Sequence, residues 1–140
     1  MHMQGTPKTM QQCCTYANVI DEVKTFLSER IRVAQSFGIE PEQIIVDPGI
    51  GFAKDTQQNL MLLNGLQTLK ELGRPVLVGA SNKSFIGHVL NKPVNDRMMG
   101  TAGVVAVSVL NGAKIVRVHD VERMTEVVRM VDAIQHPQWN

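Results

Sequence analysis

Three short runs constrain this chain more than any other feature: Ile44 to Val46, residues 75–79 around Val76-Leu77-Val78, and Ile115 to Val118. Each is rich in β-branched residues, apolar at consecutive positions and too short for a helix. That pattern belongs to strands covered on both faces, as in parallel sheets. The strand ends fall near residues 47, 80 and 119. Parallel neighbours need a crossover of a dozen or more residues, usually a helix. The chain must therefore carry helices between its strands.

The intervals supply them. Residues 17–37 place Val19, Ile20, Val23, Phe26, Leu27, Ile31, Ala34 and Phe37 at three- and four-residue steps, one apolar face of a long helix stopped by Gly38. Thr56 is the expected cap of a helix whose stripe is Leu60, Met61, Leu63, Leu66 and Leu69, ended by Gly73 and Pro75. A third helical region spans about 83–111, broken near Pro93, and a last helix runs from Val121 to Ile134. The opening MHMQG reads as the tail of one more strand. The order is successive βα units without a linker, which fits half of an eight-fold barrel or a small doubly wound sheet.

Composition narrows the partners. With 140 residues and 44% hydrophobic content the chain has single-domain length and enough apolar residues for a core. A net charge of +1 with both signs interspersed offers no basic stripe for nucleic acid. No run approaches the roughly 18 apolar residues of a membrane span, and the N-terminus lacks the pattern of a secretory signal. Cys13 and Cys14 are neighbours, poor geometry for a disulfide, and read as reduced thiols of a cytoplasmic protein.

Polar residues cluster at one end of the strands: Asp47 after the first, Ser81-Asn82-Lys83-Ser84 after the second, Arg117 and His119 in the third. In barrels and open α/β sheets alike, ligands sit beyond the carboxyl ends of the strands. Singly, each residue has an ordinary explanation. Asp47 before Pro48-Gly49 suits a turn, Ser81 or Asn82 suits a helix cap, and Arg117 could pair with Asp120. Lys83 in a first helical turn opposes the macrodipole unless an anion offsets it. Gathered at three strand ends, they describe a site for an anionic ligand with hydrogen-bonding groups.

MHMQGTPKTMQ, DPGIGFAKDTQQN, LVGASNKSFIG and IVRVHDV, in that order and spacing from residue 1 to about 134, resemble the consecutive signatures of the C-terminal half of bacterial dihydropteroate synthases. The resemblance implies a (β/α)8 barrel of which residues 1–140 are a single pterin-binding domain, about the last four βα units with parallel strands. It implies a folate-pathway transferase, the target of sulfonamides. That enzyme condenses 6-hydroxymethyl-7,8-dihydropterin diphosphate with 4-aminobenzoate, giving 7,8-dihydropteroate and diphosphate.

On this resemblance Asp47 accepts hydrogen bonds from the pterin edge and Lys83 donates to its carbonyl oxygen and ring nitrogen. Arg117 lies on the pterin face and reaches the diphosphate, which His119 also binds; Lys83, Arg117 and His119 are the catalytic set. Met1 lines the other pterin face. Ser84 and the helix start hold the aminobenzoate carboxylate, and Phe52 with Gly51 packs on its ring. Gly79 completes the substrate-binding residues. Magnesium assists, its principal ligand expected in the N-terminal half, and the family is typically homodimeric.

Two departures stand out. Asn82 occupies a position where the family commonly has arginine, in Ser-Arg-Lys-Ser, and its expected consequence is weaker aminobenzoate or diphosphate affinity. The chain is also about half the family's length, so it reads as a partial chain, or as a half-barrel that must pair. Two alternatives follow: a pterin-binding fragment without independent activity, or an enzyme like methyltetrahydrofolate:corrinoid methyltransferase. The latter has no need for the SNKS and RVHD segments.

Overall fold

The computed structural model describes residues 1–6, 8–10 and 14–138. Among the described residues there are five α-helices: α1 (Val19–Ser36), α2 (Thr56–Asn64), α3 (Ser84–Leu90), α4 (Met98–Leu110) and α5 (Val121–Gln135). Two strands, β1 (Leu77–Val78) and β2 (Ile115–Val116), pair in parallel with Leu77 opposite Ile115 and Val78 opposite Val116. A parallel bridge joins Val46 to Val76, and the His2 N–H donates to Asp47 O at 2.9 Å. Four segments thus lie side by side in sequence order, stepped by the bonds Leu77 N–H to Val46 O and Arg117 N–H to Val78 O, 2.8 and 2.9 Å.

The expected strand at Ile44 to Val46 is only this one bridge, and its expected double burial is not observed. Val46, Val76 and Val78 are buried beneath the helices, whereas Ile45 is 50% exposed and Leu77 and Ile115 are half-buried. Successive strand side chains point to opposite faces, so one face is covered by helices and the other is open. The open face also carries Asp47, Gly79 and Arg117 by the same alternation.

Beneath the covered face lie Val19, Val23 and Leu27 of α1, Leu62 and Leu63 of α2, Leu66 and Leu69 of the 3-10 turn Leu66–Leu72, and Phe85 and Ile86 of α3. Leu62, Leu66 and Leu69 are fully buried. Each stabilises by about 1.5–3 kcal/mol, and truncating Leu66 to alanine costs about 2–5 kcal/mol.

Local capping signals account for some of the helix ends. The Asn18 side chain caps α1 by accepting from Ile20 and Asp21 N–H, and Gly38 ends it at φ +81°. Asp55, not Thr56, caps α2, in a reciprocal box with Gln58. The expected single helix through Leu69 breaks at Gly65, where Ile20 packs so closely that a Cβ would overlap its Cδ1. The break shifts the face: Leu60 and Met61 are exposed while Leu62, outside the expected stripe, is buried. Phe37, Val121 and Ile134, expected in stripes, are 82%, 65% and 64% exposed. The break near Pro93 is present, between α3 and α4, as the 3-10 turn Val94–Asp96. Cys13 lies outside the described residues; Cys14 is half-buried, its Sγ 3.8 Å from Met10 O.

Candidate functional site

The turn after Val46 is held in a conformation that few sequences could adopt. Asp47 Oδ1 accepts the Gly49 N–H at 2.7 Å, and Gly49, Gly51 and Ala53 all have positive φ, +71°, +81° and +49°. Left-handed backbone favours glycine because a Cβ crowds the following carbonyl. A Cβ on Gly49 would also overlap the His2 carbonyl oxygen, and one on Gly51 would come within 2.9 Å of Lys83 Cδ. The glycines therefore let two backbones and one lysine approach the turn.

Below the turn, buried Asn59 accepts the Gly51 N–H at 2.7 Å and donates to Lys54 O and Asp55 O. The Tyr16 hydroxyl donates to Ala53 O at 2.8 Å, and burial pushes its pKa up to about 12. Lys54, only 3% exposed, directs its ammonium at His2 Nδ1, Gly49 O and Phe52 O. Burial lowers its pKa to about 8, against the opposing pull of Asp47.

The second turn brings the cations in. Lys83 Nζ stands 4.2 Å from the Phe52 ring centroid, a cation–π distance. Its pKa is lowered, first by burial and then by the Arg117 charge, while Asp47 acts in the opposite direction. Gly79 is buried, and a Cβ there would lie 3.0 Å from Arg117 Nη2 and 3.1 Å from Nε, so the guanidinium rests over this glycine. Arg117 is itself exposed on the open face, not enclosed in a strand, and Asp120 does not pair with it. Asp120 accepts from the Arg123 N–H, capping α5, and from its guanidinium.

One carboxylate and two cations thus share the end of the open face, with two glycines leaving room between them. Asp47, Gly51, Phe52, Gly79, Lys83 and Arg117 are brought together. His119 belongs to an adjoining cleft of about 390 Å³ that Ser81, Asn82, Thr101 and Met124 also line. Met1 is 53% exposed, one residue before the bond from His2 to Asp47, and Ser84 is exposed at the first position of α3.

Neither Ser81 nor Asn82 caps α3. Lys83 stands at the cap position and makes no side-chain bond there. Ser81 is buried against His119, 2.8 Å from Nδ1. Asn82 adopts φ +57°, with its N–H on Thr101 Oγ1 at 3.1 Å and its carbonyl accepting from Arg97 at 3.0 Å. Sequence reasoning missed Lys54, His2, Ser81 as a partner of His119, and the Arg97–Thr101 support. A lysine inside the apolar IGFAK stretch was the one readable signal.

Residues 1–119 match the family of pterin binding enzymes. The chain belongs to that family. Within it, the chain is 47% identical over 135 residues to a dihydropteroate synthase from Synechocystis, covering 96% of this chain and 47% of the relative. A solved dihydropteroate synthase from Yersinia pestis in a sulfonamide drug complex superposes with TM-score 0.95 at 36% identity, covering 99% of this chain and 50% of that one. The enzyme from Xanthomonas albilineans in complex with 7,8-dihydropteroate gives 0.87 at 36%, covering 97% and 49%. This chain spans about half the length of the relatives it matches, and its fold is of the TIM-barrel type seen in them. Among the described residues no helix is long and apolar enough to cross a membrane.

Proposed function

We propose that this chain is the C-terminal half of a dihydropteroate synthase barrel, its last four βα units, and carries the pterin site of that enzyme. The observation that carries the reading is the convergence of Asp47, Lys83 and Arg117 at the open strand ends. A pterin offers an amino and amide edge for a carboxylate to accept from, and a carbonyl for an ammonium to donate to. Asp47 and Lys83 are assigned these roles. Arg117, flat over Gly79, stacks on the pterin and reaches its diphosphate, and His119 donates to the same anion. Met1 covers the opposite ring face, and Phe52, Gly51 and Ser84 receive aminobenzoate.

In the condensation the aminobenzoate nitrogen forms a bond to the exocyclic carbon as the carbon–oxygen bond to diphosphate breaks. The electron pair leaves on diphosphate oxygen and the amine gives up a proton. The side chains orient the reactants and stabilise departing negative charge, terms that suffice without a covalent nucleophile. Magnesium would supply charge neutralisation at the diphosphate. Among the described residues no group of three or more His, Cys, Asp and Glu side chains is placed to hold a metal ion, so no step here is routed through it. A homodimer and a cytoplasmic location belong to the same reading. The exposed apolar residues Leu60, Met61, Val89 and Val107 support the former.

Calorimetric titration of the 140-residue chain with the pterin diphosphate and magnesium tests the site. Saturable binding that disappears in Asp47→Ala is expected; a folded chain that does not bind would overturn the assignment to this half alone. The half-open sheet, with Ile45 at 50% exposure, favours a second reading, a binding fragment without turnover. Turnover with both substrates separates the two.

A further inference from the structure

Lys54 is the one buried lysine or arginine among the described residues, and none of its partners is a carboxylate. An ammonium with no carboxylate in contact, only the more distant charge of Asp47, is costly to bury, and a methionine would fill the same space more cheaply. Its three N–H groups meet three acceptors: His2 Nδ1 at 3.0 Å, Gly49 O at 3.1 Å and Phe52 O at 2.9 Å. His2 must therefore present Nδ1 unprotonated. Its pKa is held down to about 4, by burial first and the Lys54 charge second.

The positions of these acceptors are informative. Gly49 O and Phe52 O bracket Ile50-Gly51, in a turn whose left-handed Gly49 and Gly51 lead into Ala53, a non-glycine at φ +49° that persists only if its surroundings over-determine it. His2 lies on the neighbouring segment, bonded through its N–H to Asp47 O. Over the Phe52 ring stands the Lys83 ammonium. We propose that Lys54 is a positioning residue, whose ammonium clamps the Gly49–Phe52 turn to the His2 segment and so fixes the Phe52 ring against Lys83. Its consequence for ligand binding rests on the pterin-site reading; the clamp itself does not.

The test separates the two. In the ligand-free chain the Lys83 ε-methylene protons lie over the Phe52 ring and are shifted upfield by its ring current. Phe52→Leu abolishes that shift and so identifies it. In Lys54→Met the shift collapses to the Phe52→Leu value while the amide signals of α4 and α5 stay in place. Lys54→Gln, which drops the charge but keeps a short polar tip, gives an intermediate value and carries the test should Lys54→Met not fold. A Lys83 shift unchanged in a folded variant overturns the clamp, because a merely structural lysine would lower stability and leave that shift alone. Pterin diphosphate should then bind Lys54→Met at least about tenfold more weakly, from lost preorganisation. Equal affinity in wild type and variant overturns the positioning role. Absence of binding in wild type with a normal Lys83 shift counts against the pterin site and not against the clamp.

Discussion

Ser81 Oγ lies 2.8 Å from His119 Nδ1 and also accepts the His119 backbone N–H at 3.3 Å. A serine hydroxyl has one proton, and a buried one needs an acceptor. Nδ1 is the acceptor within its reach among the described residues, so the expected arrangement directs the serine proton at Nδ1 and leaves the imidazole's own on Nε2. In that tautomer His119 presents an Nε2–H that an anion can accept.

Ser81→Ala removes that constraint without opening the fold. Inorganic pyrophosphate should bind the variant several-fold more weakly, about 1 kcal/mol for one neutral hydrogen bond, with recovery in Ser81→Thr. Titration calorimetry measures the affinities, and nitrogen-15 shifts of the His119 ring report the tautomer. A wild-type ring protonated on Nδ1 would contradict the assignment.

Gly79→Ala tests the seat of Arg117. The three atoms nearest the added Cβ all belong to the guanidinium, 3.0–3.4 Å away, and a flexible side-chain end can move. Thermal stability should change by less than about 1 kcal/mol, whereas pterin diphosphate affinity should fall because the stacking plane is displaced. Unaltered affinity would place Arg117 outside the ligand's reach.

Two glycines with positive φ should respond very differently to alanine. Gly73 has φ +64° and open space around its Cβ position, so Gly73→Ala costs about 1–2 kcal/mol of left-handed strain. Gly49 has the same kind of φ plus the His2 carbonyl in the way, so Gly49→Ala should cost more than about 3 kcal/mol and shift the His2 segment. Urea unfolding of both variants measures the difference; equal losses would mean that the His2 segment yields freely.

The His2 pKa falls from 6.5 to about 4 on folding, through burial, Lys54 and the N-terminal amine, with Glu22 opposing. Between those values the unfolded chain binds more protons, so stability falls as pH drops from about 6.5 to about 4 and is insensitive to this group above that window. His2→Phe should be less stable at neutral pH, for lack of the Lys54 acceptor, yet lose less on acidification. Parallel slopes of melting temperature against pH would assign the acid response elsewhere.

Asn82 at φ +57° is a residue type that tolerates left-handed backbone. Asn82→Arg should therefore cost about 1 kcal/mol and Asn82→Gly almost nothing. If the arginine reaches the mouth of the site, the apparent KM for 4-aminobenzoate falls despite that cost; an unchanged or higher KM means the guanidinium is directed away. Chemical denaturation and steady-state kinetics on the same preparations separate the two effects.

Sequence by itself determined the alternation of helices and strands, because Val19, Val23 and Leu27 can share a face only at helical period and Ile44 to Val46 is too short for anything but extended chain. It also determined that Asp47, Lys83, Arg117 and His119 lie at strand ends, since each directly follows or interrupts an apolar run. Tertiary structure alone decided which faces are covered. Leu60 and Leu62 are indistinguishable as leucines, and only the packing of α2, which ends at Gly65 against Ile20 of α1, turns Leu62 inward and Leu60 outward. It alone decided the pairings as well: Ser81 with His119, and Lys54 with His2 across 52 positions of sequence. Periodicity records how a segment meets an apolar core, but not which distant polar atom it meets there; that is fixed only when the segments come together and every buried donor must find an acceptor.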